Sequence, residues 1–240
     1  MILESAMLYL VIFLFSVVQS IFGVGLLLFG TPALLLMGYP YRDILWILLP
    51  ASITISFIQM IRGHIYIKSS MKVCVLMIPS LVVCLVFVLI QSESFDISKI
   101  VGIALLLVGV IRYSPRLQEI LKRIIEENIN AYYVLIGAIH GISNMGGGPL
   151  SVLMTTIYSK KSIIRANIAF IYLIFGISQL LVVAVISPQN RASFEIGFCI
   201  IALLSYFVVG RFLARTIDDR RYQKLITVVI LMYGLLMLLQ

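Results

Sequence analysis

The segment Gly141–Leu150 reads Gly-Ile-Ser-Asn-Met-Gly-Gly-Gly-Pro-Leu and lies inside a long apolar stretch. Glycine loses the most backbone entropy in a helix, and proline lacks an N–H donor, so a helix must break here. Because proline suits the first position of a helix, we predict two half-helices, Ala131–Met145 and Pro149–Tyr158. Backbone freed at membrane depth must be buried in protein or line a polar cavity. The break is therefore a candidate binding site formed by Gly146, Gly147, Gly148 and Pro149.

Polar side chains near this break could complete such a site. His140 and Asn144 are four residues apart, so they share the helix face that leads into the glycines. Either they line the cavity and donate hydrogen bonds to an anion, or they hold two helices together. Gln59 and Gln179 lie late in two other apolar runs and leave the same two interpretations open. Gly137 and Gly141 have the small-xxx-small spacing, which indicates close helix packing.

The composition indicates an all-α protein that crosses a membrane several times. Of 240 residues, 62% are hydrophobic and 12% charged, and the mean hydropathy is +1.13. A soluble domain would be about 45–50% apolar. The net charge of +8 comes from short basic clusters between apolar runs, a pattern typical of cytoplasmic loops rather than of nucleic-acid binding. We therefore expect the lipid bilayer as a partner, no nucleic acid and no cofactor, and the sequence does not indicate an oligomeric state.

Three cysteines and the N-terminal segment carry no predicted chemistry. Cys74, Cys84 and Cys199 all lie in apolar runs, where cysteine usually acts as a small hydrophobic residue. We predict neither a disulfide nor a metal site from them. The first apolar run lacks a basic n-region and a small-x-small cleavage site, so we expect a retained membrane segment at a cell membrane.

Ten apolar runs divide into two related halves. They are Ala6–Val24, Leu26–Met37, Ile44–Ile61, Val73–Ile90, Ile97–Ile111, Ala131–Met145, Pro149–Tyr158, Ala166–Ile186, Ile196–Val209 and Leu225–Leu239. The short second run follows Gly23-Val24-Gly25, as Pro149 follows its glycines. In that run Thr31 could cap and Pro32 could open a helix. We therefore add Gly23, Gly25, Thr31 and Pro32 to the candidate site.

The basic residues indicate that each broken segment turns back and leaves on the side it entered. With that topology, 15 of the 18 Lys and Arg residues share one side, and only Arg42, Lys99 and Arg191 lie opposite. If the broken segments crossed once, the basic residues would divide about evenly. The hairpin topology places both termini outside and makes the halves inverted repeats.

Each repeat is predicted to contain a broken hairpin and three spans. The chain then has about eight membrane helices, or ten if the hairpin arms cross fully. We assign residues 1–112 to the N-terminal repeat and residues 130–240 to the C-terminal repeat. Residues 113–129 read as an amphipathic linker helix on the cytoplasmic surface, with Leu117, Ile120, Leu121, Ile124 and Ile125 at helical spacing.

Inverted repeats with broken helices are typical of secondary transporters, which bind their substrate near the midplane. Helix N-termini at that depth favour an anion, so we expect a small oxyanion as substrate. Arg42, beside the outer end of the third run, could attract the anion from outside, or it could pair with Asp43. Arg165 reads mainly as a topology anchor beside Lys160 and Lys161. No Asp or Glu lies in the middle of a span, which leaves the coupling ion open and His140 as the buried titratable candidate.

Two motifs resemble those of the TauE/SafE family, also called the toluene sulfonate uptake permease family. The second-half motif is Gly137-x3-Gly141-x4-Gly146-Gly147-Gly148-Pro149-Leu150, followed by Arg165-Ala166-Asn167. The first-half motif is Gly23-x-Gly25-x6-Pro32-x-Leu34-x3-Gly38, although Leu26 and Leu27 stand where the family usually has glycines. The resemblance implies a permease for sulfite, sulfonates or similar sulfur-containing anions.

Two other kinds of protein fit part of the pattern. An anion channel or a membrane subunit without transport activity could use the same fold. His140, Ser143 and Ser151 could suggest an intramembrane serine hydrolase, since a buried Ser–His pair can make a nucleophile. Ser143 lacks an obvious acid to orient the histidine, and such a site needs no repeated architecture. We therefore do not expect an enzyme.

Overall fold

The computed structural model describes residues 2–68, 71–91, 96–216, 228, 231–236 and 238–239, and the regular structure in them is entirely helical. The helices are α1 (Ile2–Phe22), α2 (Leu26–Leu36), α3 (Tyr41–Gly63), α4 (Met71–Ile90), α5 (Ile97–Tyr113), α6 (Pro115–Glu127), α7 (Ile129–Ser143), α8 (Gly147–Ile157), α9 (Lys161–Ile186), α10 (Ile196–Ser205) and α11 (Arg211–Thr216). A π-helical segment, Tyr206–Gly210, joins α10 to α11.

Several of these helices are long and apolar enough to cross a membrane. Within the described ranges they are Ser5–Phe22, Tyr41–Tyr66, Lys161–Ile186 and Ile196–Leu213. The α5–α6 pair, bent by 101°, supplies a fifth candidate. These helices agree with the predicted multi-pass membrane protein. Part of the predicted run Leu225–Leu239 lies outside the described residues.

Helices α3 and α9 pack antiparallel and are the most buried of these spans. The indole Nε1 of Trp46, early in α3, donates to the Ser187 carbonyl just after α9 at 3.1 Å. At the opposite end, a Cβ on Gly63 would lie 3.1 Å from Ala166 Cβ. The α3–α9 pair therefore lies at the centre of the bundle. Residues in the second half of each helix contact the two helix breaks.

Close contact between α4 and α7 explains two of the glycines. A Cβ on Gly137 would collide with the Met77 carbonyl oxygen and the Ser80 hydroxyl, and one on Gly141 with the Leu81 carbonyl oxygen. Small residues allow two helix backbones to approach this closely inside a membrane. The predicted packing role of Gly137 and Gly141 is confirmed.

Helix α6 occupies the predicted linker and has an amphipathic surface. It begins after Ser114, whose hydroxyl accepts from the Leu117 N–H at 3.4 Å. Ile125 is buried, whereas Ile120 and Ile124 are each 48% exposed. An exposed apolar stripe on a charged helix suits the headgroup region of a bilayer.

Candidate functional site

Both broken helices end at residues with positive φ. The first break contains Gly23 at φ 80° and Gly25 at φ 157°, and the second contains Asn144 at φ 62°. Glycine and asparagine tolerate this left-handed region better than other residues. The positive-φ residues therefore end α1 and α7.

The prolines lie inside the following helices, which corrects the prediction that Pro32 and Pro149 open them. Helix α2 starts at Leu26 and contains Pro32, so Thr31 is not a cap. Helix α8 starts at Gly147, which places Pro149 in its first turn, where N–H groups have no acceptor within the helix. Both helices begin before their proline, because the residues directly after each break already adopt helical φ and ψ.

Each short arm folds back beside the long arm it follows. The Phe29 ring of α2 lies 5.7 Å from the Phe15 ring of α1, and the Tyr132 hydroxyl of α7 donates to the Pro149 carbonyl of α8 at 3.1 Å. Both α2 and α8 contain 11 residues, or about 16 Å of helix. A bilayer core is about 30 Å thick, so each short arm has about half the length of a full span.

Asn144 connects the two halves at the second break. Its Nδ2 donates to Thr31 Oγ1 at 3.1 Å, and its Oδ1 accepts from Gln179 Nε2 at 2.7 Å. All three side chains are fully buried. The structure therefore brings together three predicted site residues from α2, the second break and α9.

His140 lies beside this bridge in an aromatic pocket. Its ring centroid is 5.3 Å from that of Tyr172 and 4.7 Å from that of Phe175. The two ring nitrogens, the Tyr172 hydroxyl and Gln179 Oε1 are all buried and make no hydrogen bond of good geometry, although the Gln179 side chain lies beside the ring and the Gly147 N–H beside the hydroxyl. Buried polar atoms are normally paired, and each unpaired one costs about 1–3 kcal/mol. A group of such atoms indicates a place for a ligand.

Three glycines bring the start of α8 close to these side chains. A Cβ on Gly146 would lie 2.5 Å from His140 Cβ, and one on Gly148 would lie 2.8 Å from Val108 Cγ1 of α5. A Cβ on Gly147 would collide with the Tyr172 hydroxyl. The backbone at the N-terminus of α8 therefore lies close to His140 and Tyr172.

In the first half, the position equivalent to His140 is occupied by a residue with a structural role. Gln19 stands six residues before Gly25, as His140 stands six before Gly146. Its Nε2 donates to the hydroxyls of Ser52 and Ser56, both at 3.0 Å, and its Oε1 accepts from the Leu26 N–H at 3.2 Å. The N-terminus of α2 is thus already capped by a side chain of the protein.

Gln59 and Gln179 stabilise the two long arms where they break. Gln59 Nε2 donates to the carbonyls of Gln19 at 3.0 Å and Ser20 at 2.9 Å. Gln179 Nε2 makes a 3.4 Å bond to the His140 carbonyl besides its bond to Asn144. The Gln19 and His140 carbonyls also accept from the N–H groups of Gly23 and Asn144, so each glutamine adds a second donor at the last turn of a long arm. Both glutamines therefore bond between helices, while each Oε1 stays buried and unpartnered.

Arg42 does not join this cluster. It lies ten residues, about 15 Å of helix, before Ser52 on α3. Its Nη2 donates to the Leu89 carbonyl at the end of α4. The neighbouring Asp43 accepts from Asn190 Nδ2 at 2.6 Å. Arg42 therefore ties α3 to α4 at the end of the bundle that holds the α3 N-terminus.

At the other end of α3, two arginines, Arg62 and Arg165, pack against the π-helical segment Tyr206–Gly210. The Arg62 guanidinium lies 5.6 Å from the Tyr206 ring centroid and 4.9 Å from that of Phe207. The Arg165 side chain is hydrogen-bonded to Tyr206. A Cβ on Gly23 would lie 3.3 Å from the Arg165 carbonyl oxygen, so this cluster adjoins the first break. Arg165 thus has a packed position beyond its predicted anchoring role.

The two serines near His140 do not form a nucleophile with it. Ser143 Oγ donates to the Ile139 carbonyl at 2.8 Å, and Ser151 Oγ donates to the Gly147 carbonyl at 2.7 Å. A nucleophilic serine must instead give its proton to the base. The geometry therefore gives no support to a serine hydrolase.

Sequence reasoning missed Gln19, Ser52, Tyr172 and Tyr206. A repeat comparison would find the first three, because Gln19 matches His140 in distance from the break, and Ser52 precedes Gln59 by the seven residues that separate Tyr172 from Gln179. Tyr206 has no such signal, since a π-helical turn has no sequence signature of its own.

Comparison with known proteins identifies a family. A family model described as sulfite exporter TauE/SafE matches residues 8–237, nearly the whole chain. No curated protein and no solved structure shows significant similarity to it.

Proposed function

This chain belongs to the sulfite exporter TauE/SafE family, and we propose that it carries a small sulfur-containing oxyanion, such as sulfite or a sulfonate, at a site on the N-terminus of α8. The family is one of membrane transporters. The observation that carries the proposal is the group of buried, unpartnered polar atoms on His140, Tyr172 and Gln179. A bound oxyanion would accept hydrogen bonds from the imidazole and the hydroxyl.

Charge favours an anion at this place. The N-terminus of a helix carries about half a positive charge and N–H groups without an acceptor. Residues 129–194 contain no Asp or Glu that would repel an anion or compensate a cation. Each helix end contributes at most ~2 kcal/mol, so hydrogen bonds from His140, Tyr172 and Asn144 must supply most of the binding energy.

The inverted-repeat arrangement is the second part of the proposal. Gln59 and Gln179 bond to the ends of α1 and α7 in matching ways. Helix α1 packs on α10 as α7 packs on α4, and α3 packs on α10 as α9 packs on α4. These matched pairings support residues 1–112 and 130–240 as repeats that rock against each other around residues 113–129. The Asn144–Thr31 bond then lies at the interface that must open during transport.

Removal of the side chains proposed to bind the anion should weaken anion binding. His140→Ala and Asn144→Ala each remove a donor to a charged ligand, which costs roughly 1.5–3 kcal/mol, or at least about tenfold in Kd. Thermal shifts of the purified protein with sulfite, sulfate, thiosulfate, small sulfonates and organic cations measure this. Gln19→Ala is the matched control, since it lowers the melting temperature but leaves the sulfonate Kd within about threefold. Stabilisation by cations alone would refute the anion assignment.

Transport itself is tested with purified protein in liposomes. We expect saturable uptake of labelled sulfite or sulfonate, accelerated by unlabelled substrate on the opposite side. Such exchange requires a site that alternates between the two faces of the membrane. Flux that neither saturates nor exchanges would identify a channel instead. Absence of anion flux with folded wild-type protein would reject the proposed transport function.

Cysteine labelling tests the orientation. In a variant with Cys74, Cys84 and Cys199 replaced by alanine, a cysteine at Asn190 should react with an impermeant maleimide added outside intact cells. Cysteines at Lys122 and Lys161 should react only after the membrane is permeabilised. Outside labelling at Lys161 would contradict the hairpin topology, because that residue begins α9 just after the short arm α8 ends.

A further inference from the structure

The described residues around His140 include no charged side chain that could accompany an anion. Of the elements packed against α7, α9 brings Tyr172 to the imidazole, and α4 brings Cys84 to the neighbouring Gly141. Helix α8 has no titratable residue, and the charged residues of α5 and α6 lie at the ends of α5 or on the exposed surface of α6. Asn144, Thr31 and Gln179 are neutral. The described groups around this site therefore supply dipoles and hydrogen bonds only.

An anion in such a site needs a counter-charge. Moving an ion from water into a protein interior costs several kcal/mol even after relaxation, and two helix-dipole contributions do not offset that. A neutral imidazole offers one N–H donor and leaves its other nitrogen unable to donate. A protonated imidazole offers two N–H donors and a full positive charge. Protonation of His140 thus supplies both of the missing interactions.

We infer that His140 takes up a proton when the anion binds, so that the protein moves protons together with its substrate. The inference rests on the proposed anion site. The proton joins the free ring nitrogen of His140 from the side on which the anion binds, and it leaves with the anion on the other side. No bond of the substrate changes. A monovalent anion then crosses without net charge, and a divalent anion carries one net negative charge.

Thermodynamic linkage between proton and anion binding determines how the anion affinity depends on pH. When the free protein holds His140 neutral and the complex holds it protonated, the apparent affinity rises about tenfold for each pH unit lowered. The sign follows because the complex binds one more proton than the free protein. A protein that binds the anion without a proton would show no such slope for a substrate that stays ionised.

Proteoliposomes with an internal pH dye provide the test, with a small sulfonate that remains ionised over the whole pH range. Wild-type protein should acidify the lumen by about one proton per sulfonate taken up, and a proton gradient directed inward, with the outside more acidic than the lumen, should drive accumulation. His140→Gln keeps an amide donor but cannot titrate, so its remaining sulfonate flux should move no protons. His64→Gln, at the other histidine of the chain on an exposed turn, should behave as wild type.

Calorimetry in buffers of different ionisation enthalpy gives a readout that does not need transport. Sulfonate binding should take up about one proton in wild type and in His64→Gln. Zero uptake in wild type, sulfonate flux without acidification, or unchanged proton movement in His140→Gln would each overturn the inference. A wild-type protein that neither binds nor moves sulfonate would reject the proposed function instead.

Discussion

Replacing Gly147 with leucine is expected to abolish anion transport while the protein still reaches the membrane. Any Cβ at this position would collide with the Tyr172 hydroxyl, and its next neighbour is Val24 Cγ1 of the first break at 3.2 Å. A leucine side chain must therefore displace either the α8 N-terminus or Tyr172. Both belong to the proposed site, so sulfonate flux should fall to background in liposomes.

Two further variants separate the local clash from a general loss of folding. Gly147→Ala should also reduce flux, and adding Tyr172→Phe should relieve part of the clash by removing the hydroxyl. Gly30→Ala in α2 is the control, because its nearest neighbours are the flexible end of Leu48, 3.0 Å from the new Cβ. Wild-type flux in Gly147→Leu would show that the turn tolerates a side chain and does not approach the substrate.

The sequence predicted the two breaks because closely spaced glycines in an apolar segment interrupt a helix. It misplaced the helix starts because Pro149 was taken to define the first residue. A helix begins where φ and ψ return to helical values, and Gly147 and Gly148 can do that before the proline. At the first break, Pro32 lies within α2, and the helix keeps going past it.

The partners of the polar residues depended on three-dimensional packing. The spacing of His140 and Asn144 indicated a shared helix face, yet the Asn144–Thr31 bond joins residues 113 positions apart. No local pattern encodes such a contact. For Gln59 and Gln179 the sequence left two roles open, and the structure shows the bond between helices while one amide oxygen of each remains unpartnered.

The two halves use one backbone design with different chemistry. In the first half, Gln19 caps α2 and bonds to Ser52 and Ser56, so its polar groups are mostly satisfied within the protein. In the second half, histidine and tyrosine take the corresponding positions, and their buried polar atoms make no hydrogen bond of good geometry within the protein. An internally capped helix end cannot bind a ligand without losing that cap. We therefore expect one central anion site per chain rather than two.

Asn144→Asp is expected to eliminate anion binding at neutral pH without breaking the connection between the halves. Aspartate has nearly the shape of asparagine and also tolerates positive φ. Its carboxylate can accept from Gln179 Nε2, and the Thr31 hydroxyl can turn to donate to it. The change therefore keeps the hydrogen-bonded bridge and adds a negative charge where the substrate should lie.

The size of the effect distinguishes charge from the loss of a donor. Two unit charges of the same sign at 4 Å repel by about 4 kcal/mol at an effective dielectric constant of ~20, so the sulfonate Kd should rise by at least about a hundredfold. Asn144→Gly keeps the positive φ but removes the side chain, so about tenfold is expected there. Asn128→Asp, at the exposed start of α7, is the matched control and should leave the Kd unchanged. If the substrate were a cation, the carboxylate at position 144 would strengthen binding, and a lower Kd for an organic cation in Asn144→Asp would reverse the sign assigned to this site.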